Sequence, residues 1–488
     1  MHTITRTIIK KALFISCLFL LTNQAFSQRF LQYNTGTLYD SFENPSQRSF
    51  IPDSSRQFAI NYFPNININA YVSGEAQTAI KSRLFTNIYN TALVTVGNGR
   101  NNYINSNSGA YLIMFKIFSS QDGNREIGFS LKTNLESRGI FTNESVALFG
   151  GYDKFSNNSY SNIFNDRFFY QAYHQFGFNL REQVTDKLAV GFKLGLLSGF
   201  NYYKLTVNQS QIDFDRANDQ ALLSLSGLSY YGGADNGSFI QSSGFTFKNP
   251  GVSISIGAAY KNDKGYNFQF NVKDLGVIHW NNRQSEVAYF NKENANIFVS
   301  PTQADENEVS DKIGDFTSVN RITRGFYFPI NGLAEVSVNR SFWFDYDRTI
   351  KFSPTVIISK EIFYNGLTGA IVAPIQYDKF SLSLMTSYND LKMATLGGQF
   401  MIKTPNSEFF IGSESLGQTI SMAKGAAMGN KYVPTPQGRF SGASFFMGFS
   451  LKFGNYIESP MNASYIPTGE KGFLGRLYDK IFRKDKNY

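Results

Sequence analysis

The sequence predicts an all-β fold, a transmembrane antiparallel β-barrel of about 14 to 16 strands with an N-terminal segment plugging its lumen. Three observations predict it. The chain of 488 residues is 16% aromatic and only 17% charged, where ordinary soluble domains carry roughly 25% charge. After the first thirty residues no apolar run approaches the roughly 18 residues that a membrane-crossing helix needs. The 48 Phe and 28 Tyr are dispersed among polar residues with a period of two, the signature of strands with unlike faces.

The elements follow in order. Residues 1–27 read as a secretory signal peptide: Arg6, Lys10 and Lys11 without an acid, an apolar core at 12–21, and a small, polar exit over 22–28 with cleavage after Ser27. The sole cysteine, Cys17, leaves with it, so the mature chain has no disulfide, thiolate metal ligand or cysteine nucleophile. Cleavage also takes three basic residues from the formal charge of +9. The remaining Lys and Arg are too scattered for a nucleic-acid partner.

Residues 28–56 hold Phe30, Leu31, Tyr33, Leu38, Tyr39, Phe42 and Phe50 without alternation. An apolar segment that is not a strand must bury itself, and the inside of a wide barrel is available. We expect a hatch or plug in the lumen; packing on the periplasmic rim is the alternative.

Residues 57–453 are the barrel. Within 187–203, Leu188, Val190, Phe192, Leu194, Leu196, Phe200 and Tyr202 form an apolar face opposite Lys187, Ala189, Gly191, Lys193, Gly195, Gly199 and Tyr203. Within 126–138, Ile127, Phe129, Leu131 and Leu135 oppose Glu126, Ser130, Lys132, Asn134, Glu136 and Arg138. A face this polar cannot be the middle of a soluble sandwich, because unpaired buried charges cost several kcal/mol each. It faces water or a polar lumen. Residues 252–260 and 266–272 alternate likewise around the turn 261–265, which makes a hairpin. Further strands are expected near 57–63, 66–74, 110–119, 168–181, 220–231, 330–340, 351–360, 367–377, 380–388, 395–403 and 408–416. The closing strand, 444–453, ends in the aromatic Phe453, as barrel-assembly signals do. No long helix is expected. Tight turns alternate with long irregular stretches at 149–166, 274–324 and 417–441, the asymmetry of membrane barrels with short periplasmic turns and long outer loops. No repeat of propeller length is visible.

Residues 272–280 (Val-Lys-Asp-Leu-Gly-Val-Ile-His-Trp), Asn34 to Tyr39 followed by Asn44-Pro45-Ser46, Leu194 to Gly199, and Phe410 to Leu416 together resemble segments of a Bacteroidota outer-membrane family of unknown function. The resemblance covers most of the mature chain up to about Phe453. It implies a barrel similar in architecture to long-chain fatty-acid transporters and type IX secretion shuttles, with a lumenal hatch in which Asn44, Pro45 and Ser46 stand as candidate plug motif. The Asn-Pro-Ser departs by one residue from the Asn-Pro-Ala of that class.

Asp274 and Gly276 read as a strand end and Trp280 as an interfacial aromatic anchor; the alternative has Asp274 and His279 lining a lumen site. His174 is read as an ordinary strand residue. Two mature histidines are too few for a His-based metal site, and no nucleophile motif accompanies them, so neither catalysis nor a cofactor is expected. Residues 305–308 (Asp-Glu-Asn-Glu) are read as a solvated loop. Residues 454–488 form a basic tail in which Phe473, Leu474, Leu477, Ile481 and Phe482 fall at helical spacing, suited to a membrane surface or a protein partner. The expected setting is the outer membrane, with the bilayer as partner. The expected function is passage or delivery of a small amphipathic or hydrophobic ligand. The alternative is a non-transporting barrel that scaffolds partner proteins through its loops or tail, as a secretion shuttle or assembly accessory.

Overall fold

The computed structural model describes residues 35–50, 56–97, 99–118, 124–233, 247–433 and 438–456, with Leu474, Arg476 and Leu477. The signal peptide and almost all of the basic tail lie outside the described residues. Twenty-two strand segments join in one sheet that closes as a 14-strand antiparallel barrel.

In chain order the walls are β1 (Arg56–Asn61 and Asn65–Ser73), β2 (Asn101–Phe118), β3 (Arg125–Thr142), β4 (Arg167–Thr185), β5 (Leu188–Asp215), β6 (Gln220–Gly233 and Asn249–Lys261) and β7 (Tyr266–Trp280 and Ser285–Phe298). They continue as β8 (Arg321–Thr323, Phe326–Pro329 and Leu333–Arg340), β9 (Ile350–Phe352 and Thr355–Glu361), β10 (Leu367–Tyr377), β11 (Phe380–Asn389), β12 (Ala394–Lys403), β13 (Ser407–Ser413) and β14 (Phe440–Tyr456). Each wall pairs with the next, and β14 pairs back on β1, with Phe58 opposite Phe453 and Ile68 opposite Phe445.

Closure leaves two unlike ends. Turns such as 186–187, 262–265 and 378–379 gather at one end, and the long connections gather at the other. β5 has 28 residues where a tilted membrane strand needs about 9 to 11, so with its neighbours it rises well above the shorter β10–β13 side. Three long connections carry helices: α2 (Gln77–Thr86) between β1 and β2, α4 (Glu306–Ser318) between β7 and β8, and α5 (Leu416–Met428) between β13 and β14. A short helix, α3 (Asn143–Ala147), follows β3, and α1 (Leu38–Glu43) precedes the barrel.

These helices correct the expectation of irregular loops. Asp305 is not in a loop: it caps α4, its carboxylate accepting from the backbone N–H of Asn307 at 2.9 Å and of Glu308 at 3.3 Å. That is ordinary N-capping chemistry. The stretch 274–324 also contains the whole upper half of β7, because the strand resumes after a break at Asn281–Gln284 and pairs with β6 above it. β13 stops seven residues after it starts. Above it α5 completes the wall: Thr419 Oγ1 accepts from the Ser444 N–H at 3.0 Å and donates to its carbonyl at 3.2 Å, occupying backbone groups that a longer β13 would have paired.

The two faces separate as the alternation predicts. Leu194, Leu196, Ile254, Ile256, Phe268, Phe270, Ile358 and Leu382 are exposed on the outer face, while Lys116, Glu126, Lys132, Lys193, Asn271 and Lys273 are buried on the inner one. A continuous exposed apolar band of this kind is a membrane-facing surface. Among the described residues no helix is long and apolar enough to cross a membrane, so the strands do the crossing.

Two bulges reverse the faces part-way up the walls on either side of β6. In β5 the register slips at Phe200, so that Tyr173 faces Gly199 but Gln171 faces Tyr202. In β7 it slips between Val272 and Leu275, where Asp274 adopts φ +54°. An extra residue turns every later side chain to the opposite face. Tyr202 and Trp280 therefore point into the lumen, although unbroken alternation places both outside.

Candidate functional site

Residues 35–50 run into the lumen from the turn end and are buried there almost throughout. Helix α1 forms because Thr37 caps it, its side chain accepting from the Asp40 N–H at 3.1 Å. Asp40 reaches back to the N–H groups of Thr35 at 2.8 Å and Gly36 at 3.1 Å, a reciprocal arrangement like a capping box. So short a helix is not stable alone; the wall holds it. Glu408 of β13 accepts from the Leu38 N–H at 2.5 Å, and Lys403 of β12 donates to the carbonyls of Thr35 and Gly36 at 3.0 and 2.7 Å. On the opposite wall Asn179 donates to the Ser41 carbonyl at 3.0 Å and Arg181 to that of Ser46 at 2.9 Å.

The end of α1 carries the charge. Glu43 meets Lys132 of β3 at 2.7 Å and Lys273 of β7 at 3.4 Å and accepts from the Tyr111 hydroxyl at 2.8 Å. Lys273 also lies 3.5 Å from Glu335, and Lys193 of β5 lies 3.1 Å from Asp274. Three lysines and three carboxylates from five elements thus balance in one buried layer. Such a layer contributes little net stability relative to an apolar one, but losing one member is expensive, so it enforces a single placement of the segment. Beyond α1, the Asn44 side-chain amide donates to Gln269 at 3.1 Å while its Oδ1 accepts from the Ser46 N–H at 3.1 Å and hydroxyl at 2.7 Å. Pro45 and Asn44 rest on bare wall: a Cβ on Gly191 would lie 2.0 Å from the Pro45 carbonyl oxygen, and one on Gly257 would lie 2.5 Å from the Asn44 side chain.

Above this layer, toward the loop end, the lumen is aromatic. Tyr202 is the hub, its ring centroid 5.2 Å from Trp280, 5.0 Å from Phe326, 4.9 Å from Phe328 and 5.8 Å from Phe169. The Trp280 indole folds across β6 onto β5, against two glycines: a Cβ on Gly232 or Gly199 would lie 2.7 or 2.8 Å from it. Below α1, at the turn end, a cavity of about 800 Å³ opens between Gln47, Arg48, Arg181, Lys261, Trp343 and Lys351, with a mostly uncharged polar lining in which basic side chains outnumber the one acid, Asp186.

A family model described as a family of unknown function, DUF5723, matches residues 49–414. The chain belongs to the DUF5723 family. No curated protein sequence matches it. Among solved structures, the DUF5723 chain is similar to the toluene transporter TbuX of Ralstonia pickettii, at 11% identity and a TM-score of 0.39 over 86% of this chain and 94% of that one. It is also similar to a FadL homologue of Pseudomonas aeruginosa, at 10% and 0.40 over 86% and 95%, and to the translocator domain of the autotransporter NalP of Neisseria meningitidis, at 7% and 0.30 over 81% and 88%.

The residues singled out by sequence fall in different places on the DUF5723 barrel. Asn44, Pro45 and Ser46 lie on the β5–β7 wall as described. Asp274 is the bulge residue rather than a strand end; it accepts from Gln175 at 2.9 Å besides its contact with Lys193. Gly276 packs on the β6 backbone, where a Cβ would stand 2.5 Å from the Val252 carbonyl oxygen. His279 points outward and stacks on Tyr327 with centroids 4.5 Å apart. Trp280, read as an interfacial anchor, is 0% exposed inside the lumen, because the bulge at Asp274 inverts the strand above it. Phe453 faces outward beside Phe58, with centroids 5.8 Å apart, and β14 continues to Tyr456. The lumenal glycine seats and the contacts of Glu43 have no signature in sequence beyond the Gly and Lys content of one face.

Proposed function

We propose that this protein is an outer-membrane barrel that passes a small amphipathic or hydrophobic ligand through its lumen, with residues 28–56 as the plug. The carrying observation is α1: a short helix set across the lumen and fastened to walls on opposite sides through Glu408, Lys403, Asn179 and the layer around Glu43. Buried polar groups that fasten a segment by many replaceable hydrogen bonds suit a closure that must also be released. The aromatic lining above and the open polar cavity below supply an apolar entry and an aqueous exit, the sequence of surroundings that an amphipathic molecule requires.

Deleting residues 28–56 and recording single-channel conductance in planar bilayers tests the reading. A steady open channel is the expected result; a barrel that stays closed overturns the plug. Mass spectrometry of the purified protein tests the cargo, and a stoichiometric protein partner without a small molecule would favour the scaffold instead.

A further inference from the structure

The aromatic chamber contains hydrogen-bonding groups that no described residue satisfies. One rung of the sheet runs from Gln171 on β4 through Tyr202 on β5 and Gly232 on β6 to Ser285 on β7. The side chains of Gln171 and Tyr202 are 0% exposed and that of Ser285 is 1% exposed. Among the described residues neither amide atom of Gln171, nor the Tyr202 hydroxyl, nor the Ser285 hydroxyl, nor the indole N–H of Trp280 has a hydrogen-bond partner. Leaving one buried polar group unsatisfied costs about 1 to 3 kcal/mol, so four side chains left so within one chamber call for a ligand or ordered water.

We propose that this chamber binds a neutral, planar molecule that carries a hydroxyl or carboxamide group, phenols being the simplest of the class. The assignment deepens the transit reading and rests on it. Planarity follows from the walls: Tyr202 already receives four rings at stacking or edge distances, and a flat apolar body can take the place of one of them. The polar group follows from the inventory: Trp280 offers a donor, Gln171 both a donor and an acceptor, and the two hydroxyls either. Neutrality follows from the charges. Arg138 beside the chamber is committed to Glu361 by two bonds of 2.7 and 2.8 Å, and Lys204 lies over the Phe328 and Tyr230 rings at 5.4 and 5.7 Å, so an incoming carboxylate would have to draw a cation off its rings and would bear much of its desolvation cost. Because the rings are packed, entry requires the indole to leave its seat on Gly199 and Gly232, which makes Trp280 the reporter.

The test uses the full-length protein in detergent with Trp343→Phe, leaving Trp280 as the one tryptophan of the mature chain, excited at the red edge where cresol does not absorb. p-Cresol, toluene and ionised p-toluate are titrated at neutral pH. The expected result is a saturable change in Trp280 emission with p-cresol, at a half-saturation at least about tenfold below that of toluene or p-toluate, since a site built to hydrogen-bond rejects the analogue that lacks the group. Gln171→Leu is expected to remove the preference for p-cresol over toluene; Ser285→Ala serves the same purpose should Gln171→Leu lose the heat-dependent band shift of a folded barrel. No saturable response to p-cresol, which is the outcome if water alone fills the chamber, overturns the proposal. So does equal or tighter binding of toluene or p-toluate, or a preference that survives both substitutions. The conductance of the 28–56 deletion is read separately: an open channel with no p-cresol response sinks this assignment alone, and a closed one sinks the transit reading.

Discussion

Glu43 and Lys132 meet at 2.7 Å inside the barrel, 89 residues apart in the chain and both almost wholly buried. Lys132 belongs to the wall and Glu43 to the segment that crosses the lumen, so their contact ties the two together.

Glu43→Ala leaves Lys132 and Lys273 facing a vacated position. Removing one partner of a buried pair costs about 3 to 5 kcal/mol, here drawn from the hold on residues 35–50 rather than from the barrel. We expect brief openings in single-channel records, with the heat-dependent band shift retained. Replacing both residues, Glu43→Met with Lys132→Met, is expected to close most of them again; a double variant that flickers as much as the single one contradicts this account.

The Asn44–Ser46 turn needs bare backbone beneath it. Gly191→Ala would place a Cβ 2.0 Å from the Pro45 carbonyl oxygen, and Gly257→Ala one 2.5 Å from the Asn44 side chain. Overpacking of this kind costs about 1 to 3 kcal/mol. Limited proteolysis from the turn end is expected to cut within residues 35–50 several-fold faster in the double variant. Gly369→Ala, where a Cβ meets nothing within 4 Å, is the matched control and should cut like the parent.

Leu194 and Gln209 lie on the same strand, one in the exposed apolar band and the other above it. Leu194→Arg should destabilise folding into lipid vesicles by about 2 to 4 kcal/mol, whereas Gln209→Arg should change it by no more than about 0.5 kcal/mol. Equal effects in urea titrations of vesicle-inserted protein would contradict the placement of the band.

Asp166 sits in the long connection before β4, accepting from the Thr142 N–H at 3.1 Å. Burial pushes its carboxyl up to about 6. A carboxyl raised in the folded state binds its proton more tightly there than in the unfolded one, so its effect favours the fold at low pH and is lost as pH rises through about 6. Hydrogen exchange of residues 143–166, corrected for intrinsic rates, should be more protected at pH 5 than at pH 7.5. Asp166→Asn should flatten that difference; exchange that instead slows toward pH 7.5 would refute the assignment.

Much of the barrel was legible in the sequence because its cause is local. In Glu126 to Arg138 every polar position expected to face inward does so, and the turn 262–265 joins the hairpin expected of it. What escaped was non-local or terminal. Asp305 is a helix cap, but Asp-Glu-Asn-Glu reads equally well as a solvated loop until a packed apolar face on Val309 and Phe316 selects the helix. Helix α5 exists where it does because β13 is short, a fact about pairing. The candidate motif at 272–280 marked a place that matters, yet the roles within it were exchanged: the residue read as an anchor is lumenal and the histidine faces out.

The sequence by itself determined that the chain is a barrel with one apolar and one polar face, since a period of two is built into every extended strand and water or lipid sorts the faces. The tertiary structure decided which residues face the lumen above the two bulges, since a register slip at Phe200 or Asp274 is settled by pairing with neighbouring strands and not by the residues themselves. It also decided the surroundings of Glu43, whose partners lie 89 and 230 residues away and become neighbours when β14 closes on β1.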